Sequence, residues 1–168
     1  MKKQNALWAL LPLCIVAADQ VVKQWAQGTL QDVSTLPVID GVFYLTYARN
    51  TGAAFSILQG ARWVFVILGM LMLGLLTWAL RTGWVQGLFG RLSVLFVMGG
   101  AAGNLIDRVH YGYVIDLFDF RLIRFAIFNV ADSFITVGGI MLGIYLLFID
   151  RRMLRKENNH GNAPDGRA

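Results

Sequence analysis

The chain has 168 residues, 57% of them hydrophobic and only 15% charged, with a mean hydropathy of +0.57. Soluble domains carry about 25% charged residues, and a soluble fold this apolar would expose large greasy patches to water. Composition therefore excludes an ordinary soluble domain and points to an integral membrane protein, and the apolar spans taken below make it all-α with four transmembrane helices. The net charge of +5 would suggest a nucleic-acid partner in a soluble chain. In a membrane chain the placement of the charges matters more than their sum, and no nucleic-acid partner is expected.

Residues 6–26 form the first apolar stretch, interrupted by Asp19, Gln20 and Lys23. Its basic start and apolar middle imitate a secretory signal. The Asp19-Gln20 pair stands where a small-residue cleavage site would be, and the rest of the chain is equally apolar, so it reads as a retained first span. Cys14 within it is the only cysteine, so no intramolecular disulfide is expected. Asp19 and Lys23 are four apart and share a helix face, acid before base; they read as a paired support rather than as reacting groups.

Residues 27–59 differ. Leu36 to Tyr47 is rich in β-branched and aromatic residues around Asp40-Gly41, a hairpin signal. A small extracytoplasmic β-sheet is expected between the first and second spans. Arg49-Asn50-Thr51-Gly52-Ala53-Ala54-Phe55-Ser56 follows as a loop of small residues.

Three further spans are predicted at about 62–80, 88–106 and 130–148, each near the ~20 residues that cross a bilayer. The third carries Gly99, Gly100 and Gly103, a small-residue face for close helix contact. It ends in Asn104, Asp107 and Arg108. The aromatic residues Phe118, Phe120, Phe125 and Phe128 suit an interfacial lid or anchor. Residues 1–150 read as a single membrane-embedded domain and 151–168 as a polar cytoplasmic tail.

Four crossings put both termini on one side. Nine of the fifteen lysines and arginines then share the side of the termini, clustered at span ends, so that side is expected to be cytoplasmic. The hairpin, Asn50, Asp107, Asp116, Asp119 and Asp132 fall on the outer face.

A carboxylate near apolar spans is costly, and such residues are functional candidates by default. His110 and His160 have no partner at metal-ligand spacing, so neither a metal nor another cofactor is expected. Ser56 and Ser133 lack an evident base. Aspartate is what the outer side holds in abundance. Two aspartates sharing one proton can work as base and acid on a water molecule. A small proton-coupled transporter and a non-enzymatic assembly factor would also use membrane acids, and the residues alone leave these open.

The motifs Asp19-Gln20-Val21-Val22-Lys23, Asn50 to Ser56, Gly103-Asn104-Leu105-Ile106-Asp107-Arg108, Val114-Ile115-Asp116 and Phe128-Asn129-Val130-Ala131-Asp132-Ser133 occur in this order. Together they resemble the lipoprotein signal peptidases, the type II signal peptidases of bacteria, over most of the chain. The resemblance implies a multi-pass aspartic endopeptidase of the cell (inner) membrane. Such an enzyme removes signal peptides from prolipoproteins, cutting before a diacylglyceryl-modified cysteine. It implies Asp116 and Asp132 as the catalytic pair. It also implies Asn50, Asn104, Arg108 and Asn129 as residues lining the site, with Asp19 and Lys23 nearby. Implied partners are the lipid-modified prolipoproteins, membrane lipid and the inhibitor globomycin. Asp119 is the competing acid; Val114-Ile115 ahead of Asp116 match the family pattern and favour Asp116.

Overall fold

The computed structural model of the chain describes residues 2–52, 59–123 and 125–149, with side chains described from residue 8 to 148. The predicted tail at 151–168 and the Ala53–Ser56 part of the loop motif lie outside the described residues. So do the side chains of Lys2 and Lys3 and all of Arg124, which enter the charge count above.

Helix α1, Lys2–Leu30, is followed by strands β1, Thr35–Ile39, and β2, Phe43–Asn50, then by helices α2, Arg62–Arg81, and α3, Gly87–His110. Strand β3, Val114–Phe120, and helix α4, Val130–Ile144, complete the fold, and α4 continues as a π-helical turn over Tyr145–Ile149. Among the described residues, three helical segments are long and apolar enough to cross a membrane: Arg62–Arg81, Gly87–His110 and Val130–Phe148. Helix α1 has the length, at 29 residues, but Asp19, Gln20 and Lys23 interrupt its apolar run.

Helix α3 is the centre of the bundle and touches α1, α2 and α4. Its small residues make this contact: Gly99 faces Ile15 of α1, Gly100 faces the Ala131 carbonyl of α4, and Gly103 faces Asp19 of α1. Gly100, Gly103, Asn104 and Asp107 recur at helical spacing and are all buried, so one face of α3 is apolar-small and polar in turn. On α1 the buried stripe is Ile15, Asp19, Lys23, Ala26 and Leu30. Helix α2 lies outermost, with Ile67, Leu68, Leu71 and Leu75 exposed as a lipid-facing helix requires. At the other end of the bundle the buried Tyr145 hydroxyl accepts the Gln86 N–H at 2.9 Å, capping the start of α3.

The hairpin forms as predicted, with Gly41 at φ 73° in the turn, a conformation that glycine adopts without strain. The sheet is larger than expected. It has three strands in the order β1-β2-β3, and the third comes from the connector between α3 and α4 rather than from between the first two helices. All pairings are antiparallel. The underside of the sheet sits on the end of α1, where Leu117 packs with Ala26 and Leu30. Apolar burial thus ties β3 to the bundle and carries Asp116 inward.

Candidate active site

Strand parity decides where the two acids of β3 point. Asp116 pairs with Ala48 and Val114 pairs with Asn50 across the β2–β3 ladder. Residues two apart share a face, so Ala48, Asn50, Val114 and Asp116 all look the same way. All four line one cavity of about 670 Å³. Asp119 is an odd number of residues from Asp116 and faces the other way. It accepts hydrogen bonds from the Thr46 hydroxyl and the Arg121 Nε, each at 2.9 Å. The competing acid is therefore committed elsewhere.

Asp132 reaches the same cavity from the first turn of α4. Asn129 starts that helix with a reciprocal cap. Its Oδ1 accepts the Asp132 N–H at 2.9 Å, and the Asp132 Oδ2 accepts the Asn129 N–H at 3.2 Å. The Asn129 Nδ2 then donates to the Asp116 Oδ1 at 2.6 Å. One asparagine therefore sets the helix start and bridges both carboxylates. The Asn50 Nδ2 donates to the Asp116 Oδ2 at 3.0 Å, and the Asn104 Nδ2 donates to the Asp132 Oδ1 at 2.7 Å. Every carboxylate oxygen of the pair has an N–H donor.

Each asparagine is oriented by a group that can only donate. The Asn50 Oδ1 accepts the Gly52 N–H at 3.0 Å. The Asn129 Oδ1 accepts the Asp132 N–H, and the Asn104 Oδ1 accepts the Lys23 Nζ at 2.9 Å. An amide whose oxygen is so occupied must turn its NH₂ the other way, here toward a carboxylate.

Behind this layer lies an ion cluster. Lys23 Nζ is 2.8 Å from the Asp19 Oδ2 and 2.9 Å from the Asp107 Oδ2, and all three residues are buried. The Gln20 Nε2 donates to the Asp107 Oδ1 at 2.9 Å. Asp19 also accepts the Ala131 N–H at 2.9 Å and Asp107 accepts the Ile115 N–H at 3.1 Å. The cluster thus joins α1, α3, the start of α4 and the start of β3. Burying charge is tolerated only when it is paired and hydrogen-bonded this fully.

Arg108 does not hydrogen-bond to a carboxylate among the described residues. Its guanidinium donates to the Asn104 carbonyl at 3.3 Å and the Gly52 carbonyl at 3.1 Å, and it lies 4.9 Å from the centre of the Phe65 ring. It fastens the end of β2 to α3.

Asp116 is pushed up to about 7, first by burial and then by the charge of Asp132, against the opposing pull of the Asn50 and Asn129 hydrogen bonds and of Lys23. Near neutral pH this carboxyl holds a proton for much of the time.

All eight residues singled out from the sequence, Asp19, Lys23, Asn50, Asn104, Arg108, Asp116, Asn129 and Asp132, meet at this end of the bundle. Gln20 and Asp107 belong with them and were not among the predicted site residues. The signal for both was present: Gln20 adjoins Asp19, and Asp107 lies three residues after Asn104 on one helix face. No group of three or more metal-ligating side chains converges among the described residues.

A family model for signal peptidase (SPase) II matches residues 11–148. The lipoprotein signal peptidase of Clostridioides difficile (strain 630) is 44% identical over 146 residues, covering 87% of this chain and 98% of that protein. That of Streptococcus pyogenes serotype M5 (strain Manfredo) is 40% identical over 162 residues, covering 96% of this chain and 100% of the relative. Among solved structures, a bacterial membrane enzyme determined by the in meso method at 2.3 Å superposes with a TM-score of 0.77 at 30% identity, covering 97% of this chain and 95% of that one. A second, at 1.9 Å, gives a TM-score of 0.76 at 34% identity, covering 85% and 94%.

Proposed function

The chain belongs to the signal peptidase II family, which removes signal peptides from prolipoproteins, and we propose that it does so as an aspartic endopeptidase with Asp116 and Asp132 as its catalytic pair. The observation that carries this reading is the bridge through Asn129, which touches both carboxylates on the wall of one cavity. A pair that shares a proton needs neither a metal nor a nucleophilic side chain.

In this reading Asp132 begins as the carboxylate and Asp116 as the acid. Asp132 takes a proton from water, and the water oxygen attacks the scissile carbonyl carbon. Asp116 gives its proton to the carbonyl oxygen, which becomes a hydroxyl in the tetrahedral intermediate. The intermediate collapses as the C–N bond breaks. The leaving nitrogen takes the proton held by Asp132, and the hydroxyl proton returns to Asp116. A new amine and a new carboxyl group result. Asn50, Asn104 and Asn129 keep both acids in place without adding charge.

The cavity and its setting suit a lipid-modified prolipoprotein. Phe125, Ile135 and Val137 line its apolar side, which suits the diacylglyceryl chains of a modified cysteine, while the peptide bond reaches the carboxylates. Cleavage falls before that cysteine. Globomycin, a cyclic peptide, would occupy the same space, and membrane lipid would surround α2 and the outer face of α4. Residues 1–150 act as one peptidase unit with four crossings, counting α1, whose 29 residues reach roughly 43 Å as a helix. The arginine and lysine distribution supports cytoplasmic termini and an active site toward the outer face of the cell (inner) membrane.

The test is incubation of the purified protein, in lipid-supplemented detergent, with a diacylglyceryl-modified prolipoprotein. Release of the signal peptide, blocked by globomycin and absent for the unmodified precursor, is expected. An intact precursor after prolonged incubation with the folded protein overturns the reading in favour of transport or assembly.

A further inference from the structure

Lys23 is 2% exposed, and none of its hydrogen bonds goes to Asp116 or Asp132. Its three ammonium protons are all committed, to the Asp19 Oδ2 at 2.8 Å, the Asp107 Oδ2 at 2.9 Å and the Asn104 Oδ1 at 2.9 Å. Two carboxylates already exceed the charge of one ammonium. Charge balance therefore does not account for the third bond.

Its effect falls on Asn104. A carboxamide has two ends of nearly equal shape and opposite hydrogen-bonding sense. In the observed orientation its NH₂ meets the Asp132 Oδ1 at 2.7 Å. Turned over, it would set NH₂ against an ammonium and carbonyl oxygen against carboxylate oxygen, both repulsive. The Asn129 Nδ2 reaches the Asn104 Oδ1 at 3.2 Å but is shared with the Asp116 Oδ1 at 2.6 Å and the Ile115 carbonyl at 3.3 Å. It is the weaker constraint. Asn50 and Asn129 are oriented by backbone N–H groups. Asn104 is the one whose orientation depends on a side chain, and so on a residue that substitution can remove.

We infer that Lys23 is a positioning residue for the pair: its ammonium holds the Asn104 carboxamide in the one orientation that donates to Asp132, and so holds the Asp132 carboxylate for its work on water. The inference rests on the reading of Asp116 and Asp132 as the catalytic pair. Lys23 acts at second hand, through an amide, and its contribution appears in turnover rather than in substrate affinity.

A double-mutant cycle between Lys23→Met and Asn104→Ala tests it, with kcat and KM measured on a lipid-modified prolipoprotein. Because Lys23→Met leaves two buried carboxylates facing each other, the same cycle is run with Lys23→Met/Asp107→Asn, whose cluster has the one net negative charge of the wild type, against Asp107→Asn, whose cluster has none. Loss of the lysine should lower kcat by about 10²-fold, the scale of a misplaced reacting group, with KM little changed. In the Asn104→Ala background the same change should have almost no further effect, because there is no amide left to turn. Equal factors in both backgrounds, or a rise in KM with kcat intact, overturn the inference. Asn104→Asp gives an independent check. It keeps a partner for Lys23 and so keeps the fold, but sets an acceptor against Asp132; cleavage should be lost, and wild-type cleavage overturns the inference. Asp116→Asn and Asp132→Asn accompany the set. If either still cleaves, the catalytic pair itself is wrong; if both are dead while the cycle is additive, only the role of Lys23 falls.

Discussion

The Asp19 carboxylate lies directly over Gly103: a β-carbon on Gly103 would stand 2.6 Å from the Asp19 Oδ2. That oxygen is the one that holds Lys23. It cannot retreat without loosening the ammonium and, through it, Asn104. Gly103→Ala is therefore expected to destabilise the protein by about 1–3 kcal/mol, the cost of overpacking a filled site, and to lower cleavage as well. Gly74 of α2 has nothing within 4 Å of its would-be β-carbon. Gly74→Ala should be neutral or stabilising by up to about 1 kcal/mol through helix propensity. Thermal unfolding of both variants in the same detergent makes the comparison, and equal midpoints would remove the argument from close packing.

The parity of β3 makes a sharp prediction about its two acids. Asp116→Asn and Asp132→Asn should each abolish cleavage while the protein still accumulates in the membrane, since the amide keeps the shape and one of the two accepted hydrogen bonds but does not carry the proton. Asp119→Asn should retain most activity, because Asp119 points away from the cavity toward Thr46 and Arg121. The double variant at 116 and 132 should be little worse than either single one, as members of a unit are not additive. A dead Asp119→Asn beside an active Asp116→Asn would exchange their roles.

Much of this was legible in the chain. Asp40-Gly41 between apolar runs marks the hairpin, and the predicted starts at 62, 88 and 130 lie within one residue of those of α2, α3 and α4. The reciprocal cap of Asn129 and Asp132 on α4 went unread, although an Asn three residues ahead of an acid at the start of an apolar run is its pattern. Strand β3 was not legible. Val114–Phe120 carries two acids and reads as a polar connector; it becomes a strand because β2, more than sixty residues earlier, offers it an edge and Leu117 a place on α1. Such pairing has no local signature. The helix ends were misjudged for a related reason. Asp107 and Arg108 seemed to terminate the third span, yet α3 runs on to His110 because their charges are met by Lys23 of α1, by the Asn104 carbonyl one turn back in α3 and by the Gly52 carbonyl. Likewise α1 continues past Ala26 to Leu30, which packs on Leu117.

The raised Asp116 implies two pH effects. In the proposed mechanism activity needs the proton on this carboxyl, so the alkaline limb of kcat/KM should fall near pH 7, as a property of the pair rather than of one residue. Stability runs in the same direction. The folded value, about 7, lies above the ordinary 3.8. Its contribution is thus fully present below pH 3.8 and lost as pH rises through about 7. Above pH 7 the fold must carry a buried charge that Asp116→Asn does not. The amide variant should match the wild type near pH 4 and exceed it at pH 8, by up to about 4 kcal/mol from a shift of roughly three units. Unfolding at the two pH values measures the difference; a gap that is widest at pH 4 would reverse the sign and contradict the assignment.

The orientation of the whole assembly remains open to a direct labelling experiment. The three-stranded sheet, the carboxylate pair and the ion cluster lie together at one end of the bundle, the end of α1, α3 and the start of α4. Tyr145 and Gln86 close the other end. If the termini are cytoplasmic, the Asp40-Gly41 turn and the carboxylate pair face outward. In a Cys14→Ser background, Asp40→Cys should react with an impermeant thiol reagent in intact spheroplasts. His160→Cys should react only after the membrane is opened. Asp40 is held at the tip by the Tyr44 hydroxyl at 2.5 Å and lies on an exposed turn, so access there is not limited by burial. The opposite labelling pattern would place the carboxylates on the cytoplasmic side. The proposed placement of the active site toward the outer face would then fail.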